Sequence, residues 1–425
     1  MYSLCRAFAA PGLEPLPVPV IRAKMHTAPT GAGEAGMTTA ATTAAAAAME
    51  TIRIDPCDKA LIRKFIDFPY TVYAGNDCWV PWFEKEMANY LSKHHAFFSH
   101  SAGDFFLVRR GGRTLGRIAV LENRRHNDYH KKKTGRFYFY ECVEDREVSG
   151  RLVEAACAWA RKRGLTELTG PYGFNSFTGG GLLVNGFEER AAMTMMNYHP
   201  PYYHKLLEEA GFSKVMDFYS ARLETARFML PDKVRRAAEI TLKRGNFRVP
   251  RFTRIGQVKA LAADIGRVYN ESFAGHEDFT PLSDGEIKEL SRDLLRATHP
   301  ALLKVLFYKK EIAGFLFAFP DLSAALQRGR GKLSLRTLLD LRIEARRTDR
   351  LIINGAGILP RFQKLGGNAL LYYELERTVK ESLGGRSFVC ADLTQIADRT
   401  ELMLKDIGTL GGRIYKTHRI YNLAL

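Results

Sequence analysis

Apolar positions along the chain recur in two periods. Short runs or alternations predict strands at Phe105–Arg110, Gly116–Leu121, Phe137–Glu141, Met216–Leu223, Leu351–Leu359 and Ser387–Leu393. Recurrence every third or fourth residue predicts helices over Ala60–Phe68, Val148–Arg163, Tyr202–Ala210, Pro231–Lys243 and Leu261–Ser272. A further helix starts near Ala369, where Leu371, Leu375 and Val379 share a face, and another covers about Asp398–Ile407. Gly111-Gly112 closes a hairpin between the first two strands, and Leu303–Phe319 reads as a second hairpin.

The order of these elements repeats. Hairpin, strand, helix, strand, helix and strand occur once before residue 225 and once after it, which predicts a duplicated unit. The expected organisation is an α/β (α+β) fold of two tandem halves, 49–225 and 226–425, each with a central mixed sheet. Residues 1–48 are rich in Ala, Thr, Pro and Gly without an amphipathic pattern, so a disordered tail or an over-long gene start is expected there. The segment 327–350 holds eight Arg or Lys side chains interspersed with acids. It lacks the aromatics that stack on bases and reads as a solvated helical insertion, so nucleic acid is not expected as a partner.

Charge narrows the classes further. The formal net charge is +17, yet Arg6, Arg22 and Lys24 offset Glu14, Glu34 and Glu50 in the first fifty residues. The excess therefore sits on the folded part, where it attracts an anionic ligand. Six scattered cysteines without a CxxC pair suit reduced thiols in a cytoplasmic protein, and no apolar run is long enough to span a bilayer. No GxxxxGK[ST], GxSxG or HExxH occurs, and the His94/His95/His100 and His126/His130 groups have no carboxylate pair nearby, so no metal site is expected. The aromatic stretch Asp77–Trp82 is expected to be buried as core or as a channel wall.

The chemistry concentrates between Leu351 and Glu381. A buried strand with Gly355 and Gly357 stops at Pro360, and Gln363-Lys364-Leu365-Gly366-Gly367-Asn368-Ala369 leads into a helix. Free amides at such a helix start bind anions, and glycine lets a phosphate approach the backbone. The first half has Glu141-Cys142-Val143-Glu144-Asp145 in the equivalent place, acidic where a phosphate would sit, so it is expected to be the degenerate copy.

This arrangement resembles the GNAT (GCN5-related N-acetyltransferase) superfamily. Its acyl-CoA loop reads Gln/Arg-x-x-Gly-x-Gly/Ala; Gln363 and Gly366 match and Asn368 departs. The resemblance extends from about Phe68 to Leu425 through DCWVP (Asp77–Pro81), GLLVNGF (Gly181–Phe187) and YKTHRIY (Tyr415–Tyr421), and points to bacterial tandem GNAT-like proteins. It implies an N-acyltransferase moving an acyl group, acetyl in the simplest case, from acetyl-CoA or another acyl-CoA to a small-molecule or peptide amine. Backbone at Ile358 and Leu359 would hold the pantetheine arm, and amides from Lys364 to Ala369 the pyrophosphate. Glu141, Asp392 and Asp398 are the candidate bases. Many relatives place a leaving-group Tyr in the helix that here spans Glu401–Leu410 and has none, which leaves Tyr415 or solvent as the substitute. Two other readings stay open: a non-catalytic tandem GNAT-fold binding protein, and a FemABX-like transferase using aminoacyl-tRNA. No pattern names the acceptor or the oligomeric state.

Overall fold

The computed structural model describes residues 48–174, 178–224, 230–276, 279–381 and 388–425, without the side chains of 289 and 292–297. The expected disorder of 1–48 falls almost wholly outside them. The first half runs β1 (Met49–Arg53), α1 (Lys59–Asp67), α2 (Pro69–Val72), α3 (Glu84–Leu91), β2 (Ala102–Arg110), β3 (Arg113–Glu122), α4 (Arg124–His130), β4 (Thr134–Cys142), α5 (Arg146–Lys162), β5 (Glu167–Gly170), β6 (Leu182–Asn185), α6 (Tyr203–Glu209) and β7 (Ser213–Glu224). The second runs α7 (Asp232–Lys243), β8 (Phe247–Arg248), α8 (Ile255–Lys259), α9 (Ala262–Phe273), α10 (Asp284–Ala297), β9 (Leu303–Tyr308), β10 (Glu311–Pro320), α11 (Ser323–Gly329), α12 (Leu335–Arg347), β11 (Arg350–Ile358), α13 (Gly367–Lys380), β12 (Cys390–Ala397), α14 (Glu401–Thr409) and β13 (Arg413–Ala424).

The two halves do not keep separate sheets. All the strands join one sheet, ordered β1-β2-β3-β4-β5-β13-β7-β12-β11-β10-β9-β8, with β6 also on β13. The last strand of each half has crossed to the other. β7 pairs antiparallel with β12 from Cys390↔Glu224 to Ala397↔Phe218, and β13 pairs with β5 from Tyr421↔Gly170 to Ala424↔Glu167. β7 and β13 then pair with each other and close the seam. Hairpin, strand, helix, strand, helix and strand follow one another on both sides of residue 225, and the boundary between them is an exchange of strands.

The local chemistry explains several element ends. Asp58 caps α1 by accepting from Ala60 N and Leu61 N, and Asp145 caps α5 by accepting from Glu147 N and Val148 N. α4 starts where Asn123 accepts from His126 N. His126 Nδ1 is 3.0 Å from Thr280 Oγ1, and His130 Nε2 is 2.6 Å from the Phe279 carbonyl. β12 extends to Ala397, beyond the predicted Leu393, and α14 begins three residues later than expected. Of the stretch expected to be buried, Val80 and Pro81 are buried, Trp79 and Trp82 are half-buried and Asp77 is exposed; Trp79 stacks on Tyr73 at 4.8 Å, and Trp82 meets Phe139 edge-on at 5.5 Å. Among the described residues, no helix is long and apolar enough to cross a membrane.

Candidate functional site

Both halves share one device, a pair of parallel strands that part. β11 and β12 pair only over Arg350–Ile353 against Cys390–Leu393, and β4 and β5 only over Thr134–Arg136 against Glu167–Thr169. Past those points β11 continues with β10 alone, reaching Gly314↔Ile358. Each pair is followed by its own helix start, and these starts differ. In the first half the Asp145 carboxylate caps α5, accepting from Glu147 N and Val148 N. In the second half Gly366 occupies the cap position of α13 at φ +89°, and no side chain caps the helix.

The loop residues take distinct environments. Gln363, Lys364 and Leu365 are exposed, while Leu359, Gly367 and Ala369 are buried. Gln363 Nε2 donates to the Ile358 carbonyl at 3.1 Å, and Leu359 N donates to Ala313 at 2.9 Å, so strand and loop are tied to each other. Gly366 has a structural requirement of its own: a Cβ there would lie 2.2 Å from Thr241 Oγ1 of α7, in a left-handed backbone that disfavours side chains. Asn368, the departure from the family pattern, donates to Asp406 of α14 at 3.1 Å, and the Tyr372 hydroxyl donates to the same carboxylate at 2.9 Å. These bonds tie α13 to α14 at the loop end. Farther along, the two helices leave a slot over the sheet, walled by Leu351, Ile353, Ala391, Leu393, Leu375 and Met403. Its lining is almost wholly aliphatic, with Glu376 and Lys380 at one side.

The four candidate catalytic residues fall in three places. Asp392 and Tyr415 come together: the Tyr415 hydroxyl donates to Asp392 Oδ2 at 2.9 Å. Arg222 of β7 completes the group, donating to Asp392 through Nε at 2.8 Å and to Glu189 through both Nη atoms at 3.1 and 3.0 Å. Its guanidinium also lies 4.1 Å from the Tyr415 ring centroid. Burial, then the Asp392 charge, pushes the Tyr415 phenol far above its usual range and keeps it protonated. Lys416, 2% exposed, donates to the Arg190 carbonyl, and burial lowers its pKa to about 8. Asp392 thus accepts from both Arg222 and Tyr415, an environment that suits a scaffold better than a free base.

Glu141 lies elsewhere, at the first-half divergence. It is buried against Arg117, whose Nη1 donates to Phe65 O at 2.6 Å. The pair borders a cavity lined by Tyr70, Trp79, Trp82, Tyr138, Asn197 and His199. Asp398 is bound to the seam: Asp217 N donates to its Oδ2 at 3.0 Å, and its own N donates to Asp217 O at 2.9 Å. Arg222 and Glu189 escaped sequence reasoning, since only the strand exchange brings β7 beside β12, and Arg117 meets Glu141 through the pairing of β3 with β4.

Among solved structures, a tandem GNAT protein from the clavulanic acid biosynthesis pathway superposes with a TM-score of 0.53 over 89% of this chain and 98% of that one, at 11% identity. The chain has the tandem GNAT-like fold. Two curated relatives align with this tandem GNAT-like chain over most of its length. "Bacterial ceramide synthase" of Caulobacter vibrioides is 24% identical over 372 residues, covering 86% of this chain and 95% of that protein. "Protein YghO" of Escherichia coli is 21% identical over 365 residues, covering 85% and 92%. No family model matches the chain.

Proposed function

We propose that this protein is an N-acyltransferase that moves a fatty acyl group from acyl-CoA to the amine of a long-chain amino alcohol. The observation that carries the reading is the pairing, in one half only, of an uncapped glycine helix start with an aliphatic slot beside it. The helix start suits the phosphates of the donor. The slot between α13 and α14 presents almost no polar groups, which favours a hydrocarbon chain over a short acetyl group. The similarity to a protein called a ceramide synthase points the same way, since a ceramide is the fatty amide of a long-chain amino alcohol. Asp145 on α5 argues against a second donor site in the first half.

The reaction needs a neutral amine to attack the thioester carbonyl, with the proton leaving to a base or to water. Tyr415, held protonated beside Asp392, adds no further negative charge to the Arg222 group next to the divergence of β11 and β12. The test is to incubate the full chain with octanoyl-CoA or palmitoyl-CoA and a long-chain 2-amino-1,3-diol, and to measure amide and free thiol by mass spectrometry and thiol titration. Amide formation that increases with chain length supports the reading. Absence of both amide formation and acyl-CoA binding would overturn it.

A further inference from the structure

The point where β11 and β12 part carries a feature that the fold itself does not use. The first residues beyond the paired stretch are Asn354 on β11 and Thr394 on β12, following Ile353↔Leu393. Both are buried, at 7% and 6% exposure. Asn354 Nδ2 and Thr394 Oγ1 have no hydrogen-bond partner among the described residues. Leaving a buried polar group unpaired is costly, and native interiors hold few of them. Here two flank one gap.

Their placement is consistent with a shared ligand. Ile353 and Leu393 line the aliphatic slot. Side chains alternate along a strand, so Asn354 and Thr394 follow onto the opposite face, the one that carries Asp392. Each is followed directly by a left-handed residue, Gly355 at φ +110° and Gln395 at φ +58°, so both strands turn from regular extension just past the polar group. The donor loop ends β11, and an arm running back along that strand from Gly366 arrives where the strands part. An amide nitrogen donates only, and a threonine hydroxyl can donate as well. The group between them must therefore accept.

We propose that Asn354 and Thr394 are the hydrogen-bond donors to the acyl carbonyl oxygen of the thioester and to the oxyanion it becomes. This rests on the acyltransfer reading above. When the amine lone pair forms the new C–N bond, the carbonyl π pair moves onto oxygen, where the two donors meet it. Collapse restores the carbonyl and breaks the C–S bond, and the departing CoA thiolate takes up the proton that the amine has lost. Donors fixed in advance at the site of developing charge accelerate such a step.

The test compares octanoyl-CoA with S-octyl-CoA, a thioether that lacks only the carbonyl oxygen, on full-length wild type, Asn354→Leu, Thr394→Val and Thr394→Ser. Wild type should bind the thioester at least threefold more tightly than the thioether. Asn354→Leu and Thr394→Val should abolish that difference without weakening the thioether, and should lower kcat at least tenfold. Thr394→Ser should restore both. Thr394→Val should also melt at a higher temperature than wild type, because a methyl group replaces an unpaired hydroxyl, whereas a structural role predicts a lower one. An unaltered preference in folded Thr394→Val and Asn354→Leu proteins overturns the proposal, as does an equal loss for both probes. If wild type binds neither probe, the acyl-donor reading has failed and this one with it; if it binds both equally, only this one has.

Discussion

Arg222 Nε donates to Asp392 Oδ1 at 2.8 Å across the seam where the last strand of the first half meets the parting strand of the second. The Arg222 side chain is 14% exposed and that of Asp392 is 6% exposed, so the pair is shielded from solvent. Removing one member strands the other. Arg222→Leu leaves Asp392 and Glu189 without their cation, and chemical denaturation should show a loss of about 3 kcal/mol or more. The double variant Arg222→Leu/Asp392→Leu should recover part of that loss. An Arg222→Leu protein as stable as wild type would mean that the seam does not depend on this pair.

The strand exchange predicts that neither half folds alone. A fragment of residues 230–425 lacks β7, so β12 has an open edge, and β13 loses its partners β5, β6 and β7. Expressed by itself it should aggregate, whereas co-expression with residues 48–224 should yield a one-to-one complex by size-exclusion chromatography. A soluble, cooperatively melting 230–425 fragment would contradict this.

The donor loop separates affinity from stability at two neighbouring residues. Lys364 is exposed, so Lys364→Glu should weaken CoA severalfold by calorimetry, more at low than at high salt, with little change in melting temperature. Gly366→Ala should instead lower the melting temperature by several degrees, because of Thr241 and the positive φ. A Gly366→Ala protein with wild-type stability would remove the structural explanation for that glycine.

Lys304 gives a pH signature. Its ammonium is buried under α13, donating to Thr378 Oγ1 at 2.6 Å near Glu374, Arg251, Arg377 and Glu381. Burial lowers its pKa from 10.5 to about 8. Between those values the unfolded chain binds more protons than the folded one, so this lysine makes stability rise with pH through that window. Below pH 8 the full cost of burying the charge is present. Lys304→Met should therefore be more stable than wild type at pH 7, by on the order of 2 kcal/mol, and that gain should shrink towards pH 10. Denaturant midpoints at pH 7, 8.5 and 10 check the trend, and a gain independent of pH would refute it.

What the sequence by itself determined is local. The periods of Val148–Arg163 and Leu371–Val379, the Gly111-Gly112 hairpin turn and the glycine start at Gly366 are set by neighbours within a few residues, and each was legible. The acidic stretch Glu141–Asp145 and the glycine loop at Gly366 likewise distinguished the two helix starts in the sequence. Tertiary structure alone decided which residues from distant segments meet. Nothing in the spacing of Arg222, Glu189, Asp392 and Tyr415 announces a common cluster, because the exchange of β7 and β13 that assembles it leaves each strand's own alternation unchanged. The unpaired Asn354 and Thr394 were hidden for the same reason: a polar residue in a strand looks ordinary until the partner strand turns away from it.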